Sequence, residues 1–267
     1  LEGIVISEDR PKPGETFLEC RGVCVKNDRN IQALTDLTLS LRSGEILGIA
    51  GVDGNGQEEL CEVLAGLRAP ENGVIVIGGK DITGSCTRDF INSGVSYIPA
   101  DRKGVGLIPN MNVEENMPLK NYWEPPVETK KYFMDWEYIA KFAVERVKKY
   151  DVLAPSMRAP VRILSGGNLQ KLMLSREISD GTKVIIAMQP TWGLDVGAAE
   201  FVHQRLMEAR DNGVAILLIS KDLQELMSIS DRLAVIYSGS IVGVIEDPRS
   251  TDAETLGLMM AGVRPQT

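Results

Sequence analysis

The sequence predicts an α/β fold with a mainly parallel sheet, an antiparallel β edge layer and a helical subdomain, and three observations carry that expectation. Short apolar runs (EILGIAG, VIIAM, VAILLIS) alternate with segments of helical periodicity, which implies right-handed crossovers and helices flanking a parallel sheet. Residues 17–26 and 31–41 stand ahead of these runs, alternate apolar with polar side chains, and read as two antiparallel edge strands. From about residue 116 to residue 160 the texture changes to clustered aromatics and one long helical pattern. In such a fold a ligand sits at the carboxyl ends of the parallel strands.

The elements follow in order. Gly44 turns the chain into EILGIAG, a short buried strand that ends in a glycine-rich loop. Residues 57–67 read as a helix, with Leu60, Val63, Leu64 and Leu67 at helical spacing and Gly66 near its end. ENGVIVIGGKDI reads as a hairpin and VSYIP as another buried strand. Over residues 135–150, Trp136, Ile139, Ala140, Ala143, Val144 and Val147 share one side of a helix, and the nearby rings (Tyr122, Trp123, Tyr132, Phe133, Tyr138, Phe142) are expected to pack with it in a small core. After residue 183 come VIIAM (strand), GAAEFVHQRLMEARDNG (helix), VAILLIS (strand), DLQELMSISD (helix) and RLAVIYSGSIVGVIE (hairpin).

The 267 residues, 25% charged and 43% apolar, are ordinary for a globular chain and sufficient to bury a core. A net charge of −8 argues against a nucleic-acid partner, which requires a cationic face. No apolar run approaches the roughly 18 residues that cross a bilayer, so membrane association is expected to go through a partner. Cys20, Cys24, Cys61 and Cys86 show no metal-ligand spacing and read as core thiols, Cys20 and Cys24 on one strand face, which points to a reducing compartment. The single His203 reads as a surface helix residue. LEGIVISEDRPKPGE, polar and proline-containing, reads as a linker over residues 1–14, with one domain over 15–267 and its helical subdomain over about 113–164.

Residues 161–171, VRILSGGNLQK, form a potential anion site. Ser165 offers a hydroxyl, Gly166 and Gly167 leave backbone N–H groups uncovered, and Asn168 opens a helix-compatible segment whose positive end lies at these groups. The same residues also suit a simple Ser N-cap and turn. Gly51-Val-Asp-Gly54-Asn55-Gly56-Gln57-Glu58 keeps the frame of a phosphate-binding loop between a strand and a helix. Gln57 stands where the loop lysine belongs, and Glu58 where a hydroxyl would hold Mg²⁺.

The order and spacing of GVDGNGQE, VSYIPADR, LSGGNLQK, VIIAMQPTWGLD and LLISKD resemble an ABC-transporter nucleotide-binding domain over residues 16–262, and imply a P-loop NTPase-like fold. The likeness is greatest to the second, C-terminal half of tandem ATPase subunits that serve bacterial importers of monosaccharides and purine nucleosides. By that resemblance the metal-sensing glutamine falls at Ala100, the metal-binding aspartate at Met188, the catalytic glutamate at Gln189 and the switch histidine at Lys221. No adenine-stacking ring stands near residues 25–27. Ser165, Gly166, Gly167 and Asn168 match the signature, and Gly193, Leu194 and Asp195 match the loop that crosses the dimer interface.

The resemblance therefore implies a domain whose own nucleotide site lacks catalytic and metal residues while its signature is intact. A carboxylate such as Glu58 at about 4 Å from a phosphate is repelled by about 4 kcal/mol per charge pair at an effective dielectric near 20. Gln189 cannot act as a general base, and Met188 cannot hold Mg²⁺. The expected partners are the N-terminal nucleotide-binding domain of the same chain, membrane permease subunits contacted through residues 101–117 and the helical insertion, and indirectly a solute-binding protein. ATP and Mg²⁺ would then bind at a composite site on the cytoplasmic face of the bacterial cell membrane, with no cofactor held tightly by this domain. An ATPase active through some other acidic residue, and a soluble translation factor on the same fold, are the competing expectations; the second would keep its catalytic residues and a basic surface.

Overall fold

Alternating side chains make β1 (Thr16–Lys26) and β2 (Gln32–Arg42) an antiparallel pair. The computed structural model describes residues 12–129 and 133–263, so residues 1–11 of the expected linker, Tyr132 and residues 264–267 lie outside the described residues. Gly14 already bonds to Ser43, its N–H donating to the carbonyl at 2.8 Å. Gly22, at φ +62°, marks a register shift in β1 between Cys20 and Val23. The shift lets Leu18, Cys20, Val23 and Val25 all turn inward and leaves Cys24 half-buried, so the two cysteines do not share a face. The expectation of four core thiols also fails at Cys86, which is exposed and bonds Asp89 at 3.2 Å, whereas burial pushes the Cys20 thiol up to about 12.

β3 (Ile46–Ala50) is wholly buried and leads through the glycine-rich loop into α1 (Gln57–Leu64), which buries Leu60, Val63 and Leu64. The helix is shorter than its apolar spacing predicts. Gly66 takes the left-handed conformation at φ +69°, and Leu67 beyond it is exposed rather than packed. β4 (Asn72–Ile77) and β5 (Lys80–Asp81) form the expected hairpin, followed by α2 (Thr87–Asn92) and β6 (Val95–Ile98).

The chain then enters the second of two compact units, residues 98–180 and 190–202, which takes in the whole of 113–164 and extends beyond it on both sides. This unit holds the short helix α3 (Val113–Asn116), the two-residue strands β7 (Glu128–Thr129) and β8 (Phe133–Met134), α4 (Trp136–Lys149) and α5 (Gly166–Glu177). α4 buries Ile139, Ala143, Arg146 and Val147, while Trp136 and Val144, expected on the packed side, are exposed, as are Tyr122 and Phe133. Arg146 takes part of the packed face instead. Its guanidinium donates to the carbonyls of Ser175 (2.7 Å) and Ile178, satisfying the C-terminal end of α5, and it lies over the rings of Tyr150 and Phe142. The packed face of α4 is thus built around a cation, and several of the aromatic residues remain at the surface.

The remaining elements are β9 (Val184–Met188), α6 (Val196–Asp211), β10 (Ala215–Ile219), α7 (Leu223–Ile229), β11 (Arg232–Tyr237), β12 (Ser240–Ile245) and α8 (Ala253–Met260). In the first unit, a six-stranded sheet has the order β12-β11-β3-β10-β9-β6, with β11, β3, β10 and β9 parallel and β12 antiparallel to β11; a four-stranded antiparallel sheet has the order β2-β1-β4-β5. His203 on α6 is buried, not at the surface. Its Nε2 lies 2.5 Å from Glu225 Oε1 on α7, and that carboxylate partner compensates the loss of water.

Gly66 tests the account of the end of α1. A Cβ there would collide with the Phe90 ring at a left-handed φ. Gly66→Ala should lower unfolding free energy by about 3 kcal/mol in urea titration, combining left-handed strain with overpacking.

Candidate functional site

Parallel pairing puts the ends of three neighbouring strands of the first unit side by side: Ile219 on β10 registers with Ile49 on β3 and with Met188 on β9. The structure therefore brings together the loop at Gly51, Gly54, Asn55, Gly56, Gln57 and Glu58 with Met188, Gln189 and Lys221.

The loop needs its glycines. Gly54 and Gly56 are at φ +85° and +99°, and a Cβ on Gly51 would come within 2.8 Å of Gln57 Nε2. What fills the loop is the Gln57 side chain. Its Oε1 accepts the Asn55 N–H at 3.1 Å and its Nε2 donates to the Val52 carbonyl at 3.0 Å, with the residue buried. One of the loop's own N–H donors is thus satisfied from within. The Asn55 side chain is also committed, Nδ2 donating to Val52 O at 2.8 Å and Oδ1 accepting Ser238 N–H at 2.7 Å.

The charge around the loop is negative on the helix side. Burial, followed by the carboxylates of Glu62, Glu59 and Asp28, pushes the Glu58 carboxyl above its usual range, with Arg68 opposing. Glu58 is exposed, so solvent screens much of this field. Lys221 pairs with Asp53 at 2.5 Å, and its backbone N–H reaches Gln189 Oε1 at 3.4 Å. Gln189 is buried at φ +49° and donates its N–H to Ile219 O at 2.8 Å. An amide at Gln189 and a thioether at Met188 supply neither a base nor the anionic oxygens that Mg²⁺ requires. The residues present here do not fit a magnesium–triphosphate group.

The second unit carries Ala100, the signature and the interface loop. Ala100 is half-buried and offers no polar side-chain atom. Ser165 caps α5, its Oγ accepting the Asn168 N–H, and Ser165 and Gly166 are exposed. The N-cap reading is therefore correct, and it leaves the helix start open to an anion. A Cβ on Gly166 would meet only Arg102 Nη1, at 3.8 Å, whereas one on Gly167 would lie 3.1 Å from Ala198. Asp195 caps α6 by accepting the Ala198 N–H at 2.9 Å, Gly193 is at φ +66°, and the Leu194 N–H bonds Thr191 O at 3.1 Å. Trp192 is 62% exposed, so it does not cap the core.

Arg102 joins these segments and was not legible in advance. Its Nε donates to Gln170 Oε1 on α5 at 2.7 Å and its Nη2 to the Trp192 carbonyl, while Asp101 Oδ1 accepts the N–H groups of Lys103 (3.0 Å) and Gly104 (2.9 Å) to hold the turn that presents it. Only its place two residues beyond Ala100, in PADRK, hinted at a role.

The fold so described is that of an ATP-binding cassette. One solved cassette of an ABC transporter superposes with TM-score 0.76 at 21% identity, over 93% of this chain and 98% of its own. A family model for ABC transporters matches residues 34–191. The chain belongs to the ABC transporter family, as an ATP-binding domain. Relatives include the guanosine import ATP-binding protein of Bacillus subtilis (44% identical; 94% of this chain, 49% of that protein) and the glucose import ATP-binding protein of Haloferax volcanii (39%; 96% and 47%). The chain spans about half the length of these curated relatives.

Hydrogen exchange tests the filled loop. The Asn55 amide should be protected in the native chain, and Gln57→Ala should speed its exchange by about tenfold, the equivalent of one lost hydrogen bond.

Proposed function

We propose that this chain is the second, C-terminal half of a tandem importer ATPase subunit, a domain that hydrolyses little or no ATP itself and lends its signature to the ATP site of the N-terminal domain. The observation that carries this reading is the Gln57 carboxamide seated in the loop, bonded to Asn55 N–H and Val52 O. Met188 and Gln189 support it by their chemistry, and so does the half-length match to import ATP-binding proteins.

In this reading Ser165, Gly166, Gly167 and Asn168 face a triphosphate whose loop, Mg²⁺ ligand and general base belong to the partner domain. The N–H groups at the start of α5 and the Ser165 hydroxyl stabilise charge on the transferring phosphoryl group. Gly193, Leu194 and Asp195 cross the interface beside them. Hydrolysis drives permease subunits, contacted through residues 101–117 and the neighbouring helical segment, that receive a nucleoside or simple sugar from a solute-binding protein. The assembly places this domain on the cytoplasmic face of the bacterial membrane; among the described residues no helix is long and apolar enough to cross it.

Variants of the tandem subunit, assayed for ATPase activity with its permease, test the asymmetry. Gly166→Asp places a carboxylate at the exposed helix start, at ordinary contact distance from Arg102 Nη1, where an acidic residue does not harm folding. It should lower turnover by about 100-fold, the cost of spoiling one group of transition-state donors. Glu58→Ala, on the surface, and Gln57→Lys, buried in the loop but away from the working site of this reading, should leave turnover within about twofold. Loss of turnover on Glu58→Ala, with Gly166→Asp unaffected, would instead identify this domain's own loop as an active site.

A further inference from the structure

The Ser165 hydroxyl is held by Asn168 in one orientation. A hydroxyl has one hydrogen to donate and two lone pairs with which to accept. Ser165 Oγ accepts twice, from Asn168 Nδ2 at 2.9 Å and from the Asn168 backbone N–H at 3.4 Å. The direction of the side-chain bond follows from a third group. The Leu153 backbone N–H, which can only donate, lies 2.8 Å from Asn168 Oδ1, so the other end of the amide, Nδ2, faces Ser165. The segment that carries Leu153 is itself fixed to α5: Lys171, one turn beyond Asn168, donates to the Asp151 carboxylate at 2.8 Å and to its carbonyl at 3.1 Å.

With both acceptor positions occupied and Ser165 exposed, its hydrogen points away from the helix end. We infer that Asn168 is a positioning residue that presets the Ser165 hydroxyl as an outward hydrogen-bond donor to an anionic phosphate oxygen, with Leu153 fixing the polarity of the relay. This inference rests on the reading that Ser165 faces the partner domain's triphosphate. The preset matters because a hydroxyl free to rotate can accept as readily as donate, whereas a donor already oriented gives a charge-assisted bond without reorganisation during phosphoryl transfer. Asp at position 168 would reverse the relay, since its carboxylate accepts the Ser165 hydrogen and turns it inward.

A double-mutant cycle in the full tandem subunit with its permease tests this, with ATPase kinetics as the readout and thermal midpoints as the check on folding. Ser165→Ala should cost about 100-fold in kcat. Asn168→Ala should cost about tenfold, in kcat rather than KM, and nothing further in the Ser165→Ala background. Asn168→Asp, isosteric and favourable at a helix start, covers the case in which alanine loosens the turn; its loss should likewise shrink when Ser165 is absent. Unchanged activity in Asn168→Ala, or a loss of equal size in both backgrounds, would overturn the inference while leaving the trans signature standing. Unchanged activity in Ser165→Ala would overturn both.

Discussion

The Gln57 carboxamide held inside the glycine-rich loop is the contact on which the behaviour of the first unit depends. A phosphate loop works by leaving several N–H donors unsatisfied until an anion arrives. Here the donor at Asn55 is paired with Gln57 Oε1, and the same side chain returns a hydrogen bond to Val52 O. An entering phosphate would have to break both bonds and displace a buried side chain, with no lysine to compensate. Asn55 reinforces the closed form by tying the loop to Val52 and Ser238. The glycines that would admit a phosphate have remained, and they accommodate a neutral amide instead.

The second unit presents the opposite state. At the start of α5 the exposed residues are small, and Ser165 Oγ accepts two hydrogen bonds from Asn168. Arg102 secures this geometry from below, linking α5 through Gln170 to the carbonyl of Trp192 just ahead of the interface loop. One cation therefore couples α5 to the segment ahead of α6. The loop of the first unit is thus closed by its own glutamine, while the start of α5 in the second is open.

Much of the fold was legible because it rests on short-range pattern. The alternation in β1 and β2, the buried apolar runs of β3, β9 and β10, and the N-cap at Ser165 each depend on nearby residues. Features that depend on partners distant in sequence differ from the pattern. His203 is buried because Glu225 on another helix gives it a partner, and the packed face of α4 includes Arg146 because it reaches the end of α5, whereas Trp136 is exposed. Cys24 departs from Cys20 because Gly22 shifts the register between them. At the site, the missing lysine and carboxylates were visible as letters, but the self-bonded Gln57 and the Leu153–Asn168–Ser165 relay were not, since both are set by which polar atom of a side-chain amide faces which backbone group.

Calorimetric titration of the chain with MgATP at moderate salt probes the closed loop most directly. Absence of binding heat up to millimolar nucleotide is the predicted result, because Gln57 fills the loop and no lysine offsets Glu58. Micromolar binding by the native chain would contradict it, showing that the loop backbone and helix end hold a triphosphate in spite of Gln57.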